Sequence, residues 1–312
     1  MLKKSISLLM LVIMVLGFSL GAAGEEVEEI NISYVKLPLN IPSIVEKKEK
    51  MFEKEFAEDG IEVNFPEITQ GSKMTQAVAA GSLDFCNALG GTSIILAAAN
   101  GVDIKMIGVY SRAPKAFTIM TKDENIKSAA DLKGKKIVGP KGTILHQLLL
   151  AALVENDLSL KDVDFINLGI AKGISALQAG SADAALVAGP AVTKAMEGGA
   201  RIIQDGEGLL DATIVIGVRG EFLRRHPDLV DRYLKVHQNS LQFMEENPKK
   251  TIKIAAEETK IAEEDVEKMY GWYNFNPEIT ESDIEELKKT QDFLYDNDML
   301  MEKIEIESLI AE

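Results

Sequence analysis

Residues 76–85 read Gln-Ala-Val-Ala-Ala-Gly-Ser-Leu-Asp-Phe, and residues 175–184 repeat the pattern as Ser-Ala-Leu-Gln-Ala-Gly-Ser-Ala-Asp-Ala. In each copy a run of small residues typical of a helix ends at a glycine, which suits the left-handed conformation of a helix C-cap. Ser-x-Asp follows, then an apolar segment typical of a strand, then a glycine-containing junction and a further helix. Two copies in the same strand–loop–helix setting predict two lobes built from similar folding units.

Short β-type segments alternate with helix-type segments around both copies. In the first region the strand-like segments are 30–34, 61–67, 84–88 and 104–110. In the second region they are 116–121, 136–138, 163–168, 184–187 and 201–205. This alternation is typical of an α/β fold with largely parallel strands. From residue 221 onward the pattern predicts a chain that is almost entirely helical.

The composition is that of a soluble globular protein, with 46% hydrophobic and 27% charged residues. The net charge of −15 argues against nucleic acid as a partner, because phosphate contacts require Lys and Arg. It does not determine the charge of a small ligand, since a local site can differ from the whole surface. Cys86 is the single cysteine, which excludes an intrachain disulfide, and its apolar strand predicts a small buried side chain.

Residues 1–24 have the features of an export signal. Lys3 and Lys4 form a basic start, residues 8–20 are nearly all apolar, and residues 21–24 supply small residues for cleavage. The apolar run is short for a membrane span of roughly 20 residues. We therefore predict a signal peptide at 1–24 and an exported protein in the periplasm or on the outer face of the cytoplasmic membrane. A retained membrane anchor is the alternative.

Four strand-to-helix junctions are rich in small residues: 70–72, 90–93, 139–143 and 188–190. Ligands bind at the carboxyl ends of parallel strands, where glycine permits close backbone approach and helix N-termini favour anions. The set predicts a site for a small anionic or strongly polar organic solute. The candidate ligand-binding residues are Lys36, Pro38, Gly71, Ser72, Gly90, Gly91, Thr92, Ser111, Arg112, Lys141, Gly142, Thr143, His146, Gly189 and Pro190.

Three of these candidates have a structural alternative. Lys36 could be an ordinary solvated charge, Arg112 could lie at a crossover between lobes, and His146 could be packed rather than point at the cleft.

The motifs of common enzyme classes are missing from the sequence. Neither Cys-x-x-Cys nor His-Glu-x-x-His occurs, and the three histidines are scattered, so no metal site is predicted. There is no phosphate-binding loop, and Gly206-Glu207-Gly208 lacks the third glycine of a dinucleotide fingerprint. The string at 91–95 lacks the closing glycine of a nucleophile elbow. We predict no catalytic residues and no cofactor.

Five strings occur in order between residues 30 and 246. They are Gly-Ser-Leu-Asp-Phe at 81–85, Ser-Ala-Ala-Asp-Leu-Lys-Gly-Lys-Lys-Ile at 128–137, Lys-Gly-Thr at 141–143 with His146, Gly-Ser-Ala-Asp-Ala at 180–184, and Glu-Phe-Leu at 221–223 with His-Pro at 226–227. The Asp-Leu-Lys-Gly-Lys-Lys string before a strand is the most specific of them. With these strings the chain resembles the type II periplasmic binding proteins of the nitrate/sulfonate/taurine importer group.

The resemblance implies a two-lobed type II periplasmic-binding-protein fold with a ligand cleft between the lobes and a helical C-terminal tail. It implies a first lobe at 30–112 and 218–312, a second lobe at 113–217, and crossovers near 113–117 and 213–217. The chain has no aromatic or acidic residue just before Pro190, where many members carry one, so the ligand itself stays open.

The function implied is that of an extracytoplasmic solute-binding protein. It would capture a small anionic or polar organic solute by cleft closure and deliver it to the membrane permease subunits of an ABC importer. We expect a monomer that binds no nucleic acid and is not an enzyme. Two alternatives stay open: an enzyme on the same fold, of pyrimidine-precursor or transferase type, with Cys86 and His146 as its candidate groups, and a sensor input domain.

Overall fold

Strands and helices alternate through residues 27–37 and 39–311, the part of the chain that the computed structural model describes. The strands are β1 (Glu29–Asn31), β2 (Glu62–Asn64), β3 (Phe85–Gly90), β4 (Ile104–Arg112), β5 (Phe117–Thr121), β6 (Lys136–Gly139), β7 (Asp164–Asn167), β8 (Ala184–Ala188), β9 (Arg201–Asp205) and β10 (Thr213–Arg219). The predicted signal peptide at 1–24 and the candidate Pro38 lie outside the described residues.

Helices occupy most of the remaining chain. They are α1 (Ile41–Lys48), α2 (Met51–Phe56), α3 (Gly71–Ala79), α4 (Gly91–Ala99), α5 (Ile144–Val154), α6 (Ile170–Gln178), α7 (Pro190–Glu197), α8 (Gly220–Arg225), α9 (Pro227–Glu246), α10 (Pro248–Thr259), α11 (Glu263–Tyr270) and α12 (Glu281–Asp296). The predicted helical C-terminal region is therefore observed. None of the described helices combines the length and the apolar character needed to cross a membrane.

The strands form three sheets, and these divide between two lobes. The first lobe contains the parallel pair β1–β2 and the antiparallel sheet β3–β10–β4. The second lobe contains the sheet β7–β6–β8–β5–β9, in which β6 runs parallel to both of its neighbours. The two-lobed α/β fold agrees with the prediction, whereas the residue limits proposed for each lobe stay a prediction.

The expectation of largely parallel strands is wrong for β5 and β10. β10 is antiparallel to β3 and β4, and β5 is antiparallel to β8 and β9. The chain leaves the first lobe after β4 and enters the second lobe's sheet as β5. It returns as β10, which lies directly beside β4. Because the departing and returning strands run in opposite directions, they pair antiparallel.

The repeated Gly-Ser-x-Asp unit makes the same contacts in both lobes. Gly81 and Gly180 follow α3 and α6 with positive φ angles of 73° and 68°. The carboxylate of Asp84 accepts the backbone N–H of Asn31 at 2.9 Å, and that of Asp183 accepts the backbone N–H of Lys136 at 2.7 Å. Each aspartate thus fastens a new strand to its neighbour, and the prediction of similar folding units is confirmed.

Helix α5 connects the cores of the two lobes. Every residue from Ile144 to Leu150 is buried, so the helix lacks a polar face, which is typical of a helix enclosed on all sides. It packs on β5 and β8 within its own lobe and against α4 and α12 on the other side. Its N-terminus is thereby held between the lobes.

Candidate functional site

A cavity of about 760 Å³ opens between the lobes, within the range of ordinary small-molecule sites. Five helices begin at its wall, where Gly71, Gly90, Thr143, Gly169 and Pro190 belong to their first residues or N-caps. The first N–H groups of a helix have no partner within the helix and carry partial positive charge. The cavity wall therefore presents several N–H donors suited to an anion.

Two of these junctions need glycine for reasons of space or conformation. A Cβ at Gly71 would collide with Ser93 Oγ, on the neighbouring helix α4. Gly189, the N-cap of α7, has φ of 55° and ψ of −134°, a combination that residues with a side chain rarely adopt. These glycines allow the helix starts to lie close to the cavity.

Two lysines are the charged side chains among the described residues that line the cavity. Lys172 lies in the first turn of α6, and Lys194 lies one turn into α7. Both are exposed. The described lining contains neither aspartate nor glutamate. The site is therefore positive although the whole chain carries a net charge of −15.

Much of the remaining wall is apolar. Side chains from both lobes contribute to it, among them Met74, Phe117, Ile144, Ile170 and Ile214. Such a surface gains free energy when it covers the apolar part of a ligand. The cavity thus suits a solute that joins an anionic group to an apolar body.

Two neutral polar side chains of the wall hold local structure. Asn40 donates from Nδ2 to the carbonyl oxygen of Val35 at 2.7 Å, while its Oδ1 is buried without a partner. Ser93 Oγ donates to the carbonyl oxygen of Gly142 at 3.4 Å, which joins α4 of the first lobe to the segment before α5. The other neutral polar side chains of the wall are Thr69, Gln70, Thr143, Ser175 and Gln178.

Four residues of the sequence-predicted site line this cavity: Gly71, Gly90, Thr143 and Pro190. Two predicted cations are engaged elsewhere. Lys36 Nζ lies 3.1 Å from Glu67 and 3.9 Å from Glu258.

Arg112 lies at the end of β4, where the chain leaves the first lobe, as its structural alternative predicts. Arg112 Nε donates to Asp283 of α12 at 2.6 Å, and its Nη atoms donate to the carbonyl oxygens of Asn276 and Glu278 at 3.0 Å. Arg112 Nη2 also donates to Asp283 Oδ2 at 2.5 Å. The guanidinium therefore fastens α12 and the segment before it to the end of β4, and these four bonds occupy it.

Thr92 and Ser111 are buried, with exposed fractions of 1% and 0%. Thr92 Oγ1 donates to Gln147 Oε1 at 2.8 Å, and Gln147 Nε2 donates to Thr290 Oγ1 at 2.9 Å. This Thr92–Gln147–Thr290 chain of hydrogen bonds links α4, α5 and α12. It is an internal connection between the lobes rather than part of the cavity wall.

His146 is buried and packed, as its structural alternative predicts. Its ring stacks on Phe165 with centroids 4.6 Å apart, and its Nδ1 accepts the backbone N–H of Gly142 at 3.3 Å. Burial, with a smaller contribution from the charge of Lys141, lowers the pKa of His146 to about 4. The ring is therefore neutral at pH 7.

The other predicted residues surround the cavity without lining it. Gly91 packs against Leu287 and the carbonyl of Thr213. The backbone N–H groups of three of them are engaged, with Lys141 donating to Asn167 Oδ1, Gly142 to His146 Nδ1 and Gly189 to the Ala116 carbonyl. Ser72 is exposed in the first turn of α3.

Sequence reasoning missed Gly169, Lys172 and Lys194, which line the second lobe's side of the cavity. Gly169 sits between β7 and α6, so the rule that identified the other strand-to-helix junctions applies here too. The lysines had no comparable signal, because exposed lysines are common on helices.

Cys86 and His146, the candidate groups of the enzyme alternative, are not placed to react with a ligand in the cavity. Cys86 is fully buried in β3, and burial raises the pKa of its thiol, which keeps it protonated. Neither Cys86 nor His146 is among the lining residues. Within residues 27–37 and 39–311, no three or more His, Cys, Asp and Glu side chains are grouped so that they could hold a metal ion.

Comparison with known families and proteins gives a consistent result. The family model described as NMT1/THI5 like matches residues 53–251. A Bacillus subtilis (strain 168) protein, named as an aliphatic sulfonates-binding protein, is 29% identical over 99% of this chain and 94% of its own length. The taurine-binding periplasmic protein of Escherichia coli K12 is 27% identical over 76% of this chain and 73% of its own length.

Solved structures show the same fold. The alkanesulfonate-binding protein SsuA from Xanthomonas axonopodis pv. citri, bound to MOPS, aligns with a TM-score of 0.83 over 92% of this chain and 99% of that chain, at 23% identity. The desulfurization enzyme DSZB aligns with a TM-score of 0.68 over 91% of this chain and 96% of that chain, at 15% identity. The fold is thus used by binding proteins and by at least one enzyme.

Proposed function

Because the chain belongs to the NMT1/THI5-like family, we propose that it is an exported solute-binding protein that captures a small organic anion and delivers it to the membrane subunits of an ABC importer. One observation carries the proposal. Five helix N-termini and two lysines converge on a cavity whose described lining contains no carboxylate. Each helix N-terminus contributes about 0.3–1 kcal/mol to an anion when exposed, and up to about 2 kcal/mol when partly buried.

A sulfonate is the anion that we propose for this site. By their names, the two relatives described above bind aliphatic sulfonates and taurine. A sulfonate shares one negative charge among three oxygens, so several N–H donors can bind it at once, as they do a phosphate. The apolar wall formed by Met74, Phe117 and Ile214 would cover its carbon chain.

Cleft closure is the proposed mechanism. The lobes, which we place at 30–112 with 218–312 and at 113–217, would approach each other around the ligand because the closed arrangement binds it better. Exclusion of water would then strengthen the contacts between the anion and its donors. The closed pair of lobes would form the surface that the permease recognises. We propose that the protein works in the periplasm as a monomer, after residues 1–24 have directed its export.

Binding without covalent chemistry is also part of the proposal. The thiol of Cys86 is protonated and buried, and the ring of His146 is enclosed against Phe165. Neither group can act as an activated nucleophile or a base towards a ligand in the cavity.

Isothermal titration calorimetry on the purified protein tests this function. We expect short alkanesulfonates to bind, while neutral alcohols of the same chain length do not. Trp272 is the single tryptophan and lies with Pro114 and Asp211 around a smaller pocket of about 310 Å³ near the proposed crossovers. Its fluorescence should therefore change when the lobes close. Binding of neutral compounds alone, with no alkanesulfonate bound, would contradict the proposal.

A further inference from the structure

We infer that the cavity selects organic anions whose remaining part is neutral and discriminates against zwitterions. A sulfonate that carries an ammonium group would bind much more weakly than an alkanesulfonate of the same size. This inference rests on the proposed function and concerns which members of the ligand class the site accepts. It separates two kinds of solute that the names of the relatives place side by side.

The first argument is the missing partner for an ammonium group. An ammonium loses its hydration when it enters a cavity, and a carboxylate is the partner that best compensates. The acceptors in the described wall are neutral: the side-chain oxygens of Asn40, Gln70 and Gln178 and the hydroxyls of Thr69, Ser93, Thr143 and Ser175. Neutral acceptors make weaker hydrogen bonds than ionised ones.

Two acids close in sequence to the first lobe's side of the wall are already occupied. Glu67 precedes Thr69 and pairs with Lys36 at 3.1 Å. Glu46 lies on α1, the helix that follows Asn40, and is fully buried. Its carboxylate is bonded to His237, Asn87 and Ser240. Neither acid can turn to a ligand without losing these partners.

The second argument is repulsion. The features that attract the sulfonate, namely the helix N-termini and the side chains of Lys172 and Lys194, act with the opposite sign on an ammonium a few atoms away. In a small zwitterion the two charges lie too close together for the cavity to attract one and not repel the other. A methyl group in the same position carries no charge and is not repelled.

Three sulfonates that differ in one terminal group test the inference: propanesulfonate with a methyl, hydroxyethanesulfonate with a hydroxyl, and aminoethanesulfonate (taurine) with an ammonium. Titration calorimetry at pH 7 should give taurine a Kd at least about tenfold higher than propanesulfonate, and about tenfold corresponds to about 1.4 kcal/mol. The hydroxyl compound should lie between them, because neutral acceptors can serve a hydroxyl. Taurine binding as tightly as propanesulfonate would overturn the inference while leaving the proposed function intact. Failure of all three to bind would instead refute the proposed sulfonate site.

A designed acid gives a second test. Ser175 is exposed on α6 and lines the cavity, so Ser175→Asp adds a carboxylate to the wall and Ser175→Asn is its neutral control. The ratio of the taurine Kd to the propanesulfonate Kd should fall in Ser175→Asp and stay near the wild-type value in Ser175→Asn. An unchanged ratio in Ser175→Asp would show that charge is not the cause of the discrimination, and would also overturn the inference.

Discussion

The two Gly-Ser-x-Asp units make the same backbone contacts but lead into different junctions. After β3 of the first lobe, Gly91 is packed against Leu287 and Thr92 is bonded to Gln147. After β8 of the second lobe, Pro190 and Lys194 line the cavity. The repeat therefore preserves a folding unit, while the residues that follow it differ in role. In the first lobe Gly90 and Ser93 line the cavity but Gly91 and Thr92 hold the structure together, whereas in the second lobe Pro190 and Lys194 both line the cavity.

The aspartates of the two units also differ in their surroundings. Asp84 Oδ1 accepts a hydrogen bond from Arg219 Nη2 at 2.7 Å, which ties the first unit to the returning strand β10. Asp183 is bonded through its side chain to the backbone N–H of Lys136. The first unit thus adds an ion pair to another strand of its own sheet.

Alanine substitutions of the two aspartates give the largest expected difference. Asp84→Ala should lower the free energy of unfolding by about 3–4 kcal/mol, since it breaks a largely buried ion pair as well as a strand contact. Asp183→Ala should cost about 1–2 kcal/mol, the effect of one lost charged acceptor. Urea unfolding followed by circular dichroism measures both, with Asp84→Asn and Asp183→Asn as controls that keep an acceptor. Equal losses in the two alanine variants would remove the distinction between the units.

A second prediction concerns His146, which lies just after a junction of the second lobe yet has a structural role. The pKa of His146 is about 4 in the folded protein and 6.5 in the reference state, so the unfolded chain binds the proton more readily. Its contribution to stability is complete above pH 6.5 and is lost as the pH falls towards 4. The loss amounts to about 3 kcal/mol, at about 1.36 kcal/mol per pKa unit.

Comparison with His146→Asn isolates this effect, because the carboxylates titrate equally in both proteins. The difference in unfolding free energy between wild type and variant should fall by about 3 kcal/mol between pH 7 and pH 4. A difference that does not depend on pH would show that the ring is accessible, and would return His146 to the ligand candidates.

Local chemistry explains which features the sequence predicts. The glycine caps at Gly81 and Gly180 and the helix starts at Gly71 and Gly90 depend on neighbouring residues, so short strings identify them. The partner of Arg112, in contrast, lies 171 positions further along the chain at Asp283. No local pattern indicates such a pairing.

Local patterns also fail to predict which residues line the cavity and in which direction the strands pair. Whether an exposed lysine such as Lys172 or Lys194 faces a ligand depends on how its helix is rotated against the other lobe. The antiparallel pairing of β10 likewise depends on where the chain returns after β9. The hydrophobic periodicity of one segment indicates neither how a helix is rotated against the other lobe nor in which direction a strand pairs.

Breaking the Thr92–Gln147–Thr290 chain should have a smaller effect than Asp84→Ala or the protonation of His146. Thr290→Val removes the acceptor for Gln147 Nε2 in a buried place and should lower the free energy of unfolding by about 1–2 kcal/mol. Thr290→Ser keeps the hydroxyl and should lose less. Thermal or urea unfolding of the two variants measures these losses of stability. Equal stability of Thr290→Val and wild type would show that the junction of the first lobe is not a structural link.

The measurement that tests the central claim most directly is the affinity for propanesulfonate when the charge is removed from the second lobe's side of the cavity. The double variant Lys172→Met with Lys194→Met keeps both side chains unbranched and only one atom shorter. Titration calorimetry at low ionic strength should show a Kd raised about tenfold or more, or about 1.4 kcal/mol. Lys122→Met with Lys161→Met makes the same change in net charge at exposed positions of the second lobe outside the cavity wall, and its Kd should stay near that of wild type. An unchanged Kd in the Lys172 and Lys194 variant, or an equal rise in the control, would contradict the assignment of the anion site to this cavity.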